Sequence, residues 1–195
     1  MTQGISTSKN RILILGAAGF IGTNLTLRLL KKGDSLLLFD RPQALWAAPV
    51  KEAVQKGQAA VVTGCFAEGQ DGSGWQEMLP LLSQVDTVYH LISTTCPTNS
   101  NQDVAEEMEE NLVATIRFLD ACVGAGVKKV VFLSSGGTVY GREHTGICRE
   151  EEEAFPITSY GVQKLAIEKM LYLYREMHGL DYRIDRKSTR LNSSH

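Results

Sequence analysis

A tyrosine and a lysine four positions apart, Tyr160 and Lys164, are the residues of this sequence best suited to acid–base chemistry. On a helix, residues at this spacing lie on one face, so both side chains can point into one cleft. A phenol is a poor base at neutral pH, but a nearby ammonium favours the phenolate and lowers the pKa of the tyrosine. The pair therefore predicts a proton acceptor assisted by a lysine. With 6 tyrosines in the chain such a pair also arises by chance, and an ordinary helix-surface role for Tyr160 is the alternative.

A glycine-rich segment, Gly16-Ala-Ala-Gly19-Phe-Ile-Gly22, follows a short apolar run and opens a helical pattern. In this strand–turn–helix context, glycines allow a sharp turn, a close approach of the backbone to a pyrophosphate, and tight packing of the helix on a sheet. The N-terminus of the helix then binds phosphates through its unpaired N–H groups. The segment predicts a dinucleotide site.

Asp40 ends the next predicted strand, where its carboxylate can accept hydrogen bonds from both hydroxyls of an adenosine ribose. The same carboxylate would repel a 2′-phosphate, so NAD is favoured over NADP. A bound nicotinamide cation would act with the lysine ammonium to favour the phenolate and lower the pKa of Tyr160. Arg41 beside it has several possible roles. Its guanidinium can accommodate that phosphate, cover the adenine, or remain a solvated surface charge.

Serine and threonine hydroxyls follow the fifth predicted strand in the segment Ser134-Ser-Gly-Gly-Thr-Val-Tyr-Gly141. The carboxyl ends of parallel strands form the edge where ligands bind in folds of this kind. The segment therefore predicts hydroxyl groups close to the tyrosine–lysine pair.

The composition narrows the class of protein. The 195 residues are 43% hydrophobic and 22% charged, as in one globular domain, and the formal charge of -2 favours no nucleic-acid partner. No apolar run is long enough for a membrane span and the polar start lacks a signal-peptide core, which predicts a cytoplasmic protein. The four cysteines are scattered without C-x-x-C spacing, which favours free thiols over disulfides or a metal site.

Apolar runs alternate with helical patterns along the chain. Strands are predicted at 11–15, 35–39, 59–63, 85–92, 128–134 and 180–184. Helices are predicted at 19–32, within 42–56, at 101–124 and at 160–178. Strands separated by crossover helices predict an α/β fold with a doubly wound parallel sheet.

The last residues, 185–195, have no apolar period and read codon by codon as the translation of a common sequencing-adapter DNA. We interpret them as a tail foreign to the natural protein, which we expect to continue beyond Ile184. The expected organisation is a flexible N-terminus at 1–9, an incomplete NAD-binding domain at 10–184 and the tail at 185–195.

Together, the ordered motifs resemble those of the extended short-chain dehydrogenase/reductases, in particular the NAD-dependent epimerase/dehydratase group that acts on nucleotide sugars. The likeness covers about residues 10–184 and implies a Rossmann fold, truncated before its C-terminal substrate-binding part. Tyr160 and Lys164 match the catalytic pair. The cofactor-binding residues that the resemblance implies are Gly16, Gly19, Phe20, Ile21, Gly22, Asp40, Arg41, Cys65, Phe66, Leu91, Ile92, Ser93, Asn111, Tyr160 and Lys164.

Asn111 also has a plainer interpretation, a neighbouring histidine reads as structural, and two positions depart from the family pattern. Asn111 can be a solvated helix residue instead, and His90 reads as a packing residue at a strand end. An acid that often holds the adenine is replaced by Cys65, so backbone groups at Cys65 or Phe66 are the expected substitutes. The usual catalytic Ser or Thr position is Gly136, which leaves either Ser135 or Thr138 to orient the substrate hydroxyl.

The resemblance implies a UDP-glucose 4-epimerase-like isomerase that acts on a nucleotide sugar, with UDP-hexose as the expected substrate and a homodimer as the expected assembly. Tyr160 would take the proton of the sugar C4 hydroxyl while hydride passes from C4 to NAD and later returns to the other face. A nucleotide-sugar dehydratase or reductase is one alternative, although a dehydratase needs a carboxyl that Gly137 and Thr138 lack. A non-catalytic NAD-binding regulator, suggested by Gly136, is another. The chain by itself is expected to be inactive.

Overall fold

A six-stranded parallel sheet forms the centre of the protein, in a computed structural model that describes residues 10–67, 74, 77–141 and 148–187. The strands are β1 (Arg11–Leu15), β2 (Ser35–Asp40), β3 (Ala59–Thr63), β4 (Thr87–His90), β5 (Lys129–Ser135) and β6 (Asp181–Lys187). The helices are α1 (Phe20–Lys32), α2 (Ala48–Gln55), α3 (Leu79–Leu82), α4 (Val104–Met108), α5 (Ala114–Ala125) and α6 (Ser159–His178). A π-helical turn, Glu109–Val113, joins α4 to α5.

The strand order is β3-β2-β1-β4-β5-β6, so the chain changes direction across the sheet between β1 and β4. All neighbouring strands are parallel. The predicted doubly wound parallel sheet is therefore confirmed. In such sheets, ligands bind in the crevice outside the carboxyl ends of the strands at this switch point.

Helices cover both faces of the sheet, which explains the unbroken apolar run of β1. Successive side chains of a strand point to opposite faces. Ile12 and Ile14 pack in the cluster that includes residues of α1 and α2, whereas Leu13 and Leu15 pack in the larger cluster with residues of α5 and α6. A strand buried on both sides needs apolar residues at every position rather than at alternate ones.

Several elements differ from their predicted bounds. The helix predicted over 101–124 begins at Val104, because the Oδ1 of Asp103 accepts the N–H of Glu106 at 3.0 Å and caps it. This helical segment also contains the π turn. The spacing of apolar residues cannot reveal such a turn, because the core-facing positions still fall on one side of the helix. The strand predicted over 85–92 is shorter, because its pairing with β1 and β5 covers only Thr87–His90. The short helix α3 was not predicted.

The sixth strand extends further than predicted. β6 continues through Lys187 and pairs with β5 as far as Ser135, so the predicted end at Ile184 is wrong. Backbone pairing does not depend on side-chain type, which is why a polar segment can continue the strand. The predicted flexible N-terminus at 1–9 and the remainder of the predicted tail, from residue 188 onward, lie outside the described residues.

Two kinds of feature are absent from the described part of the chain. Among its helices, none is long and apolar enough to cross a bilayer. Within the same residues, no three His, Cys, Asp or Glu side chains lie close enough together to hold a metal ion. The four cysteines are free.

Asp86 links three strands at the amino end of the sheet. Its carboxylate accepts hydrogen bonds from Arg11 Nε at 3.1 Å and from Lys128 Nζ at 2.8 Å, and its side chain is 20% exposed. These hydrogen bonds hold the pKa of Asp86 well below its usual range.

We expect Asp86→Asn to lower the melting temperature of this chain by about 2–4 °C at neutral pH, as for the loss of about 1 kcal/mol. Because the pKa is depressed in the folded state, the stabilisation is present above the unfolded pKa of about 3.9 and is lost as pH falls through the folded pKa. The difference between the parent and the variant, measured by circular dichroism, should therefore shrink below about pH 4. Glu52→Gln is the control, because its pair with Lys56 is 63% and 61% exposed. Equal losses in both variants would contradict the expectation.

Candidate cofactor and catalytic site

The glycine-rich segment forms the turn between β1 and α1. Gly16 has a φ of 80°, a left-handed conformation that favours glycine. A Cβ on Gly22 would come within 2.2 Å of the Gly16 carbonyl oxygen, so the first turn of α1 packs directly on the loop. Gly19 is the N-cap of α1 and supplies no side-chain cap, which leaves backbone N–H groups available for an anion. At this end of the helix Phe20 is 86% exposed and Ile21 is half-buried.

Asp40, at the end of β2, lies beside the glycine-rich turn, and together they form what we call the glycine cradle. Its Oδ2 accepts the Ala18 N–H at 2.8 Å, and its Oδ1 accepts the Arg41 N–H at 2.8 Å. A carboxylate has about four acceptor positions, so Asp40 keeps capacity for ribose hydroxyls. The side chain of Arg41 is exposed beside it. The bond to Ala18 gives Asp40 a second role that the sequence did not suggest, which is to hold the glycine loop in place.

The segment after β4 lies against the glycine turn. The N–H of Leu91 donates to the last carbonyl of β1 at 3.1 Å. A Cβ on Gly16 would meet the carbonyl carbon of Leu91 at 3.3 Å and Cγ1 of Ile92 at 3.4 Å. Ser93 follows as an exposed residue. The sheet thus brings these three residues and the glycine loop to one edge.

Asn111 is buried in the π turn, and its amide holds the segment after β4. Its Oδ1 accepts the Thr94 N–H at 2.9 Å, while its Nδ2 donates to Thr94 Oγ1 at 2.7 Å and to the Glu107 carbonyl at 3.0 Å. Only 7% of Asn111 is exposed, so the interpretation as a solvated helix residue is wrong.

Cys65 and Phe66, which follow β3, lie in different environments. Cys65 is half-buried, whereas the Phe66 ring is in the core with its centroid 5.2 Å from that of His90. The Phe66 side chain is therefore a core residue, and the backbone groups of Cys65 and Phe66 remain the candidates for holding the adenine. His90 packs as predicted at the end of β4, where its Nε2 lies 3.0 Å from Thr115 Oγ1. Burial, together with the charge of Lys164, lowers the pKa of His90 to about 3 and keeps the ring neutral.

Tyr160 and Lys164 lie on one face of α6. The Lys164 Nζ is 5.5 Å from the centre of the Tyr160 ring and 4.7 Å from that of Phe132, and it donates to the Leu133 carbonyl at 3.0 Å. Burial lowers the pKa of Lys164 to about 8. Burial also raises the pKa of Tyr160, against the nearby Ser135 hydroxyl, which lowers it. The lysine ammonium, one of the two charges expected to lower this pKa, bonds a carbonyl of β5 and not the phenol.

The two hydroxyl candidates after β5 are placed differently. Ser135 ends β5, and its side chain lies close enough to the Tyr160 hydroxyl to lower the pKa of the phenol. The Oγ1 of Thr138 is buried and has no hydrogen-bond partner among the described residues. The Thr138 carbonyl lies against the start of α6, 2.8 Å from where a Cβ on Gly161 would stand. The geometry therefore favours Ser135 as the hydroxyl that acts beside Tyr160.

A buried polar cluster at the start of α6, which we call the Glu107 cluster, consists of Glu107, Ser159 and Gln163. Glu107 accepts hydrogen bonds from the Ser159 hydroxyl and from Gln163 Nε2, the latter at 3.3 Å. This carboxylate was not predicted, because it belongs to a glutamate-rich segment that resembles a solvated helix face. One signal was available, since Glu107 lies four residues before Asn111 and thus on the same side of a helix.

The fold is a Rossmann-like α/β domain. Its parallel sheet has the glycine cradle at the switch point, and the tyrosine–lysine pair on a following helix lies at the same edge of the sheet. The sequence matches the NAD dependent epimerase/dehydratase family over residues 12–190. The chain belongs to this family, which confirms the resemblance drawn from the motifs.

Individual relatives have related activities. The chain is 32% identical over 180 residues to a UDP-glucose 4-epimerase of Mycolicibacterium smegmatis, covering 88% of this chain and 53% of that protein. It is 29% identical over 174 residues to a dTDP-4-dehydro-6-deoxyglucose reductase of Escherichia coli, with the same coverage of 88% and 53%. Among solved structures, the Thermus thermophilus UDP-glucose 4-epimerase in complex with NAD gives a TM-score of 0.75 at 28% identity, over 89% of this chain and 53% of that one. The chain spans about half the length of the curated relatives that it matches.

Proposed function

We propose that this chain is the NAD-binding half of a nucleotide-sugar 4-epimerase that acts on a UDP-hexose. The observation that carries the proposal is the placement of Tyr160, Lys164 and Ser135 together at the end of β5, on the same sheet edge as the glycine cradle. The similarity to UDP-glucose 4-epimerases supports this reaction class. We further propose that residues 185–195 are foreign to the natural protein and that the sugar-binding contacts come from a second half.

The residues of the cradle fit NAD. Gly22 has no room for a Cβ, so α1 begins directly on the glycine loop, where its unpaired backbone N–H groups can bind a pyrophosphate, and Asp40 keeps acceptor positions for ribose hydroxyls. Lys164 would hold the second ribose with its ammonium. When bound, NAD supplies a hydride acceptor, which no protein side chain provides.

In the proposed reaction, the chain's own residues move one proton. Tyr160 accepts the proton of the sugar C4 hydroxyl, and the Ser135 hydroxyl orients that group. Lys164, with a pKa of about 8, is mostly protonated at neutral pH and stabilises the phenolate by its charge. Burial of the pair limits the access of water that would compete for the proton.

One alternative activity within the family has its own support. The similarity to a dTDP-4-dehydro-6-deoxyglucose reductase favours a reductase as the second candidate. The same tyrosine and lysine would then deliver a proton to a keto sugar rather than remove one.

The test of the proposed function uses the full-length protein that carries this chain. Incubated with UDP-glucose, it should form UDP-galactose without net consumption of NAD. Net oxidation of a reduced cofactor by a keto sugar would favour the reductase. NAD binding without turnover of UDP-hexoses or of keto sugars would favour the regulatory protein and contradict an enzyme.

We expect the full-length protein to bind NAD at least about 10-fold more tightly than NADP, because Asp40 would meet the 2′-phosphate with like charge. Asp40→Ala should remove most of this discrimination and weaken NAD binding too, since Asp40 also holds the Ala18 N–H. Isothermal titration with both cofactors measures the ratio. Asp34→Ala, which changes an aspartate at the other end of β2, is the matched control. If the parent bound NADP as tightly as NAD, the attraction of Arg41 for the 2′-phosphate would outweigh its repulsion by Asp40.

We expect Ser135→Ala to lower the kcat of the epimerase by about 10-fold or more, as for the loss of one hydrogen-bond donor at a reacting oxygen. Thr138→Val, which keeps the shape of the side chain, should change kcat by less than about three-fold. Steady-state rates with UDP-glucose measure both variants. A larger effect at Thr138 than at Ser135 would reverse the assignment.

A further inference from the structure

Glu107 is a carboxylate buried among neutral donors. Only 6% of the residue is exposed. Its Oε1 accepts the Gln102 N–H at 3.2 Å, and its Oε2 accepts from the Ser159 hydroxyl and from Gln163 Nε2 at 3.3 Å. Burial of a carboxylate is unfavourable unless its oxygens are hydrogen-bonded, and bonds to a charged acceptor are stronger than neutral ones. Glu107 therefore restrains each group that donates to it.

The donors of the Glu107 cluster are the immediate neighbours of the proposed catalytic pair. Ser159 precedes Tyr160, and Gln163 precedes Lys164. The Gln163 Nε2 also donates to Ser159 Oγ at 2.8 Å, which closes a three-membered set of hydrogen bonds around the first turn of α6. The carboxylate thus bonds the two residues of α6 that immediately precede Tyr160 and Lys164 in the sequence.

The other side of the cluster faces the segment after β4. Gln163 Oε1 accepts from Thr95 Oγ1 at 3.3 Å, and the Glu107 carbonyl accepts from the Asn111 amide that also holds Thr94. These contacts connect α6 to Thr94 and Thr95, which follow the predicted cofactor-binding residues after β4. The cluster is a polar bridge between the two halves of the site edge.

We propose that Glu107 is a positioning residue. It holds the first turn of α6 so that Tyr160 and Lys164 keep their positions relative to the segment after β4. The proposal rests on the proposed function of the pair. Glu107 itself takes no part in proton transfer. This role requires that both side-chain oxygens accept hydrogen bonds. A glutamine at this position would direct an amide N–H at the Gln163 amide, which is itself a donor.

The test measures the ionisation of Tyr160 in this chain, by NMR of ring-labelled tyrosine with Tyr160→Phe to assign the signal. Glu107→Gln should loosen the first turn, admit water to the phenol and lower the pKa of Tyr160 by about half a unit or more, since burial is what raises it. Ser159→Ala should do the same while keeping the Glu107 charge. Exchanging the two partners, Glu107→Gln with Gln163→Glu, restores one carboxylate opposite one amide and should return the pKa to the parent value.

Glu109→Gln, which alters an exposed glutamate two residues along the same helical segment, is the matched control and should leave Tyr160 unchanged. A shift in Glu107→Gln without one in Ser159→Ala would show that only the charge acts on the phenol and would overturn positioning. Lower melting temperatures with an unchanged Tyr160 titration would show a purely structural role. An exchanged pair that behaves like Glu107→Gln would also overturn the proposal. If Glu107→Gln does not fold, Ser159→Ala and the exchanged pair decide.

A second measurement separates this inference from the proposed function. In a parent chain that binds NAD, Glu107→Gln should weaken binding by about five-fold, the equivalent of one hydrogen bond of about 1 kcal/mol. The exchanged pair should recover it. A parent chain with no affinity for NAD would count against the proposed function, whereas the tyrosine titration would still decide the positioning role.

Discussion

Tyr160→Phe in the full-length protein should lower the kcat for UDP-glucose epimerisation by about 10²–10⁴-fold, the usual contribution of a general base. The ring would still pack beside Lys164, whose Nζ lies 5.5 Å from its centre, while the hydroxyl proposed to take the proton is lost. Affinity for NAD should therefore stay within about two-fold of the parent. Rates of epimerisation and NAD titrations on the same preparations measure the two effects.

Two further variants on α6 make this result specific. Tyr172→Phe removes the hydroxyl of a tyrosine that is 55% exposed and should leave the rate unchanged. Lys164→Ala should reduce both the rate and the affinity for NAD, because it removes the charge beside the phenol and the proposed contact with the ribose. The contrast between the tyrosine and lysine variants separates proton transfer from cofactor binding. If Tyr160→Phe turned over substrate as fast as the parent, another base or the regulatory function would replace the proposal.

Gly22→Ala should abolish detectable NAD binding, with a loss of about 100-fold or more, and should destabilise the chain by about 2–4 kcal/mol. The added Cβ would stand 2.2 Å from the Gly16 carbonyl oxygen and 2.7 Å from Ala17 Cα. Both contacts are with backbone atoms, so no side chain can rotate to make room. α1 would have to move away from the loop, and the N–H groups that the phosphates need would move with it.

Gly124→Ala is the matched control for this change. Gly124 lies in α5, and a Cβ there meets nothing within 4 Å. Because alanine has the higher helix propensity, this variant should be as stable as the parent or up to about 1 kcal/mol more stable, with unchanged affinity for NAD. Urea unfolding and NAD titration of the two variants provide the comparison. A stable Gly22→Ala chain that binds NAD normally would contradict the proposed cradle.

Local pattern was sufficient for the architecture and for part of the site. The run at 11–15 and the glycines at 16, 19 and 22 are read correctly because a buried parallel strand and a tight turn are each specified by neighbouring residues. Tyr160 and Lys164 share a face for the same reason, since helical spacing alone places them. Where bounds were missed, as for β4 and β6, pairing with a neighbouring strand decided the length, and that pairing joins residues far apart in the sequence.

Contacts between distant residues decided the remaining features of the site. Whether Ser135 or Thr138 faces Tyr160, and whether Lys164 bonds the phenol or the Leu133 carbonyl, depends on how α6 lies against β5. The residue patterns of α6 and β5 are the same whichever of these contacts forms. Glu107 illustrates the limit most clearly, because a glutamate in an acidic run is solvated unless another element brings donors to it.

The sequence by itself determined that this chain builds a doubly wound parallel sheet of the epimerase/dehydratase family, with a glycine turn after β1, an acid at the end of β2 and a tyrosine–lysine pair on α6. These features follow from residue types and short spacings, which act within one element or one turn. Only the tertiary structure decided that Asp40 holds the glycine loop, that Asn111 and Glu107 are buried, and that burial raises the Tyr160 pKa. The physical reason is that hydrogen-bond partners and solvent exclusion are set by elements that meet in space, and their positions are not encoded in any single stretch of chain.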